Sequence, residues 1–93
     1  EERELLWTAL KERGLRAERQ YETQKGVPLD LALLCALGNL GITLGDAGAE
    51  QRTLRERSGW RYLAFPESAV KEDLATAVQT IEKEVERLGG LAA

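Results

Sequence analysis

Histidine and methionine are absent from this chain of 93 residues, cysteine occurs once and proline twice. Without histidine there is no imidazole for a serine or cysteine triad, for the common zinc ligand sets, or for the usual general base near neutral pH. The single thiol, Cys35, has no internal partner for a disulfide, which suits a reducing, cytoplasmic setting. No apolar run approaches the roughly 20 residues that span a bilayer, and the start lacks the charged-then-apolar order of a signal peptide. Membrane insertion and secretion are therefore not expected. The absence of methionine fits a domain cut from a longer reading frame. Scarce Asn, Met and Cys beside 31% charged residues fit a thermophile.

What is present fits one domain over residues 1–93, with 43% apolar residues and 13 basic against 16 acidic side chains. Leu5, Leu6, Ala9 and Leu10 recur at one-turn spacing and Gly14 follows, which predicts a first helix over residues 2–13 with a left-handed cap. Residues 16–22 alternate like an edge strand, with Gln24, Lys25 and Gly26 as its turn. The nearly continuous apolar run VPLDLALLCA, residues 27–36, is too short for most helices and reads as a strand buried on both faces. Gly38 and Asn39 form the expected turn into a third strand over residues 40–44. Good helix formers predict a second helix over residues 47–57, and WRYLAF at 60–65 predicts a fourth strand ended by Pro66. Val70, Leu74, Ala77, Val78, Ile81, Val85 and Leu88 follow a 3.6-residue period up to Gly89 and Gly90, a single closing helix. The order αβββαβα implies a chain of the α/β (α+β) class. Its sheet is mixed and four-stranded, flanked by helices, with a right-handed helical crossover to a parallel last strand.

Charge is uneven along the chain. Lys11, Arg13, Arg16, Arg19 and Lys25 face only Glu12, Glu18 and Glu22, while Arg52, Arg55, Arg57 and Arg61 face only Glu56. These stretches read either as solvated surface or as a phosphate-binding patch on an acidic domain. Trp60, Tyr62 and Phe65 read as packing between helix and sheet, with base stacking beside arginines as the alternative. Gly41 and Gly45 mark a bulge or a close backbone approach and lack the pattern of a phosphate loop. Cys35 reads as a small buried apolar residue. Trp7, on the first helix, marks a partly exposed position suited to an interface with another domain or a second copy.

Asp30 is the most informative residue, because a carboxylate inside an apolar strand has to be protonated, paired or bound to a cation. It reads as lying near a strand end and partly wet, or as paired with a nearby arginine such as Arg16 or Arg19. The alternative is a magnesium site, which needs oxygen ligands from further carboxylates.

The opening LWTALKERGL, the segment RQYE, the strands VPLDLAL and LGITLGD, and GWRYLAFP before an amphipathic helix together resemble the PD-(D/E)xK restriction-endonuclease-like fold. The nearest likeness is to its very-short-patch-repair-like group, often attached to DNA helicases. The resemblance implies that Asp30 is the metal-binding aspartate of the second strand. It also puts Thr43 where the second metal-binding acid belongs and Gly45 where an Asp or Lys belongs. A neutral hydroxyl and an absent side chain remove a ligand and the group that orients water, so ordinary nuclease chemistry is not expected.

The resemblance thus implies a catalytically inactive nuclease-like domain, serving as a DNA-binding or protein-docking module of a larger DNA-processing protein such as a helicase. On this reading no cofactor is needed, and Arg16, Arg19, Lys25, Arg52 and Arg55 are the candidate nucleic-acid contacts. One alternative is an active magnesium-dependent endonuclease with a rearranged acid set. There Asp30, Glu50 and an acid of the first helix such as Glu2 or Glu4 hold the metal, and Lys25 or Arg52 meets phosphate. The other is a protein-interaction or homodimerisation domain without nucleic acid, which the acidic last helix favours.

Overall fold

The computed structural model describes residues 1–23, 26, 28–45, 53–57 and 59–92, with backbone alone for 53–57. The first helix, α1 (Glu2–Glu12), buries Leu6 and Leu10. It ends where Gly14 takes φ +79° and its amide donates to the Lys11 carbonyl, the left-handed stop that the sequence predicts. Three antiparallel strands follow, β1 (Glu18–Glu22), β2 (Pro28–Cys35) and β3 (Gly38–Gly45). Cys35 pairs with Gly38, so Ala36 and Leu37 form the hairpin corner and Gly38 and Asn39 already belong to β3, not to the turn.

The chain then departs from the expected order. Residues 53–57, assigned to a helix on propensity, form strand β4 (Thr53–Arg57), which pairs antiparallel with β5 (Trp60–Pro66). The β5 strand inserts between β3 and β4 and runs parallel to β3, giving a five-stranded mixed sheet of order β1-β2-β3-β5-β4. The hairpin partner across Gly59 overrides helix propensity, which is worth only tenths of a kcal/mol per residue. The rest of the expected helix, residues 47–52, lies outside the described residues.

The closing helix is two helices, α2 (Glu67–Glu72) and α3 (Leu74–Arg87). Asp73 separates them at φ −146° and caps α3: its carboxylate accepts from the Thr76 amide at 3.2 Å and from the Thr76 hydroxyl at 2.7 Å. After Gly89 and Gly90, both at φ +82°, Leu91 bridges antiparallel to Cys35, tying the last residues to β2.

One core joins residues of all three helices to a single face of the sheet: Leu31, Leu33 and Cys35 of β2, Leu40 and Ile42 of β3, Leu63 and Phe65 of β5. Against them lie Leu6, Leu10, Val70, Val78, Ile81 and Val85. Each fully buried aliphatic side chain stabilises the fold by roughly 1.5–3 kcal/mol. Among the described residues no helix covers the other face. Among the described residues the sheet is thus layered on one side, where flanking helices were expected.

Candidate functional site

Asp30 sits where the pairing of β1 with β2 is irregular. Arg19 pairs with Leu31 and Tyr21 with Leu29, but opposite Asp30 the backbone of Gln20 turns left-handed, at φ +54°. One Asp30 oxygen, Oδ2, accepts the Leu44 amide of β3 at 2.7 Å, a place in the ladder that backbone carbonyls ordinarily take. The other, Oδ1, faces the Arg3 guanidinium of α1 at 3.5 Å. Arg16 and Arg19 are not its partners: Arg16 is exposed before β1, and Arg19 bonds Glu4 at 2.7 Å.

Glu1, Glu2, Arg3, Leu44 and Glu67 line a shallow pocket of about 240 Å³ with Asp30. Of the helix-one acids, Glu2 shares this pocket and Glu4 is turned to Arg19. Among the described residues no three His, Cys, Asp or Glu side chains are grouped to hold a metal ion. Thr43 pairs with Ala64 two positions from Gly41, and Gly45 pairs with Pro66 at the end of β3. Since Leu40, Ile42 and Leu44 point to the helices, Thr43 belongs to the opposite face from Asp30, and the two do not meet. Glu50 lies outside the described residues.

The basic residues divide between the sheet's two edges. Arg19 is on β1 and Arg55 on β4, four inter-strand steps or about 19 Å apart. Arg19 also lies over the Trp7 ring at 4.2 Å, with Lys11 at 5.1 Å, while the Trp7 indole donates to the Ala17 carbonyl at 2.9 Å. Trp7 therefore joins α1 to the approach to β1. Arg61 turns to the helices and bonds Glu84 at 3.0 Å. Lys25 and Arg52 lie outside the described residues.

The irregularity at Gln20 and Asp30 has a consequence across the sheet. In a regular pair Tyr21 and Leu29 would share the face of Arg19 and Leu31, toward the helices. Instead both lie on the helix-free face. A Cβ on Gly41 would stand 2.8 Å from Leu29 Cδ1 and 3.0 Å from Tyr62 Cδ1, and the Tyr21 ring is 5.6 Å from that of Trp60. Trp60 in turn stacks beside Tyr62, centroids 6.1 Å apart and planes 12° from parallel. Gly41 and Ala32 form the floor beneath, and Ala32 is 0% exposed although no described helix covers it. The close approach expected at Gly41 is present.

Thus Trp60 and Tyr62, expected between helix and sheet, lie on the face that no described helix covers, and only Phe65 of β5's three aromatics enters the helix-side core. The backbone register sets Arg55 opposite Tyr62 and Arg57 opposite Trp60. The sequence marks Tyr21 only as part of an alternating edge strand and does not show which face it takes. Arg3 was missed because nothing in the sequence marks which helix residue reaches a strand 27 positions away.

No protein-family model matches the chain, and no curated protein or solved structure matches it.

Proposed function

We propose that this chain is a catalytically inactive, nuclease-like domain that holds DNA on the helix-free face of its sheet, as a module of a larger DNA-processing protein such as a helicase. The observation that carries this reading is the platform of Tyr21, Trp60 and Tyr62, three partly buried rings with Trp60 in contact with each of the other two, beside an edge strand with arginines at positions 55 and 57. Aromatic faces next to cations suit bases next to phosphates. The Arg3 guanidinium, 3.5 Å from the carboxylate, supports reading Asp30 as a paired structural acid. The parallel β3–β5 pair in a mixed sheet is a coarse feature shared with the nuclease-like resemblance, while the five-stranded order β1-β2-β3-β5-β4 departs from it.

Binding of a fluorescein-labelled DNA, measured by anisotropy across a salt series, tests the reading. Binding should weaken with salt as counterions are released. The double charge reversal Arg55→Glu with Arg57→Glu should remove most of it, and the DNA should stay intact with magnesium or manganese. Salt-independent binding, or none, would sink the proposal.

A second reading, a magnesium-dependent endonuclease, draws on one observation: Glu2 and Glu67 line the same pocket as Asp30. It requires DNA cleavage that Asp30→Asn abolishes.

A further inference from the structure

We infer that the helix-free face selects single-stranded DNA, each of two arginine–aromatic register pairs taking one nucleotide; the inference rests on the DNA-binding reading above. The pairs are Arg55 with Tyr62 and Arg57 with Trp60. Their members are two positions apart along neighbouring strands, about 6.8 Å, which matches successive nucleotides of an extended strand. A ring can stack only on a base whose face is uncovered. In a duplex both faces of each base are taken by its neighbours, so a stacking platform discriminates against paired DNA.

The platform is ordered before any ligand arrives. The rings already touch, Leu29 at 4% exposure supports them, and the floor of Ala32 and Gly41 lets the Tyr21 and Trp60 rings reach each other from strands separated by β2 and β3. Little side-chain freedom is then lost on binding. Charge orients the strand. The β1 sequence ERQYE has two glutamates against Arg19, which is turned to Glu4 and Trp7 of α1, whereas the β4 sequence TLRER has two arginines against one glutamate. The phosphates therefore follow β4, and the bases point inward over Trp60 and Tyr62 toward Tyr21.

The test is an anisotropy titration of the chain with three labelled probes of equal length: oligo-dT, a DNA duplex, and an abasic strand that keeps the phosphates without bases. The expected result is that oligo-dT binds at least about ten-fold tighter than either other probe, since each base stack contributes about five-fold or more. Trp60→Leu, with its fold checked by circular dichroism, should weaken oligo-dT binding at least about five-fold and leave the abasic strand unchanged. If all three probes bind alike and the arginine reversal abolishes each, the single-strand inference falls while the DNA reading stands. If none binds, both fall. An oligo-U strand bound at least about ten-fold tighter than oligo-dT would overturn the assignment to DNA. A concentration-dependent dimer in sedimentation, lost in Trp60→Leu, would assign the face to a second copy of the chain.

Discussion

The two faces of the sheet solve burial differently, and β5 displays both solutions along one strand. Phe65 enters the helix-side core at 1% exposure, while Trp60 and Tyr62 stay partly exposed on the other face. The helix side is aliphatic and interdigitated, so its stability depends on volume. The helix-free side is built from rings over Ala32 and Gly41, so its order depends on contact between a few large side chains. The three aromatic residues of one strand are thus divided between its two faces.

Truncation is the sharpest way to break this comparison. Phe65→Ala should cost about 3–5 kcal/mol in denaturant unfolding, enough to unfold a domain of this size or nearly so. Trp60→Leu removes a ring already in part solvated and should cost about 1 kcal/mol. Equal costs would mean that the helix-free face is a second core.

The next effect concerns charge at the rim of the covered face. Glu84 is 7% exposed and accepts from Arg61 at 3.0 Å and Arg87 at 3.2 Å. Glu84→Ala removes the carboxylate from a guanidinium whose side chain is 23% exposed, and should cost about 2–3 kcal/mol by urea unfolding. Glu84→Gln keeps an acceptor and should cost less. Reversal of charge at the exposed Glu12 should change little.

The irregularity joining the two faces gives a smaller effect of opposite sign. A non-glycine residue at positive φ is strained, and Gln20 stands at +54°. Gln20→Gly should be neutral or stabilise by up to about 1 kcal/mol, whereas Gln20→Val should destabilise by about 1–2 kcal/mol. Because the same irregularity turns Tyr21 toward Trp60, Gln20→Val should also perturb the near-ultraviolet circular dichroism of the aromatics. A destabilising Gln20→Gly would show that the side chain, not the backbone, holds the turn.

The parts of this architecture legible in the sequence are those fixed by local periodicity. Leu6 and Leu10 with Gly14 mark α1, the alternation through Leu40 and Ile42 marks β3, and the stripe from Leu74 to Val85 marks α3. Residues 53–57 were misread because helix propensity competes there with a hairpin partner that only the fold supplies. The break at Asp73 was hidden by the apolar period running through it, although an aspartate three residues before Thr76 is a capping signal. Of the candidate site, Asp30 was legible as a carboxylate needing a partner. The identity of Arg3 was not, because it depends on how α1 lies on β2. The aromatic platform was half legible: Trp60 and Tyr62 alternate visibly, but Tyr21 joins them only through the left-handed backbone at Gln20, which no composition rule announces.

The smallest effect tests the dryness of the covered face. Cys35 is 6% exposed at the helix side of β2, and burial pushes its thiol up from the ordinary 9.0, because a thiolate there would lose its hydration. The sign follows from linkage. The unfolded chain ionises its thiol near the ordinary value while the folded chain keeps the proton. The stability tied to the neutral thiol is therefore fully present below that value and is lost as pH rises above it toward the folded value. Between about pH 8 and pH 10 the urea midpoint of the natural chain should fall further than that of Cys35→Ala, in which other alkaline titrations remain and this one does not. Equal falls would mean that water reaches β2 on the covered side, and the contrast between the two faces would then be one of shape, not of hydration.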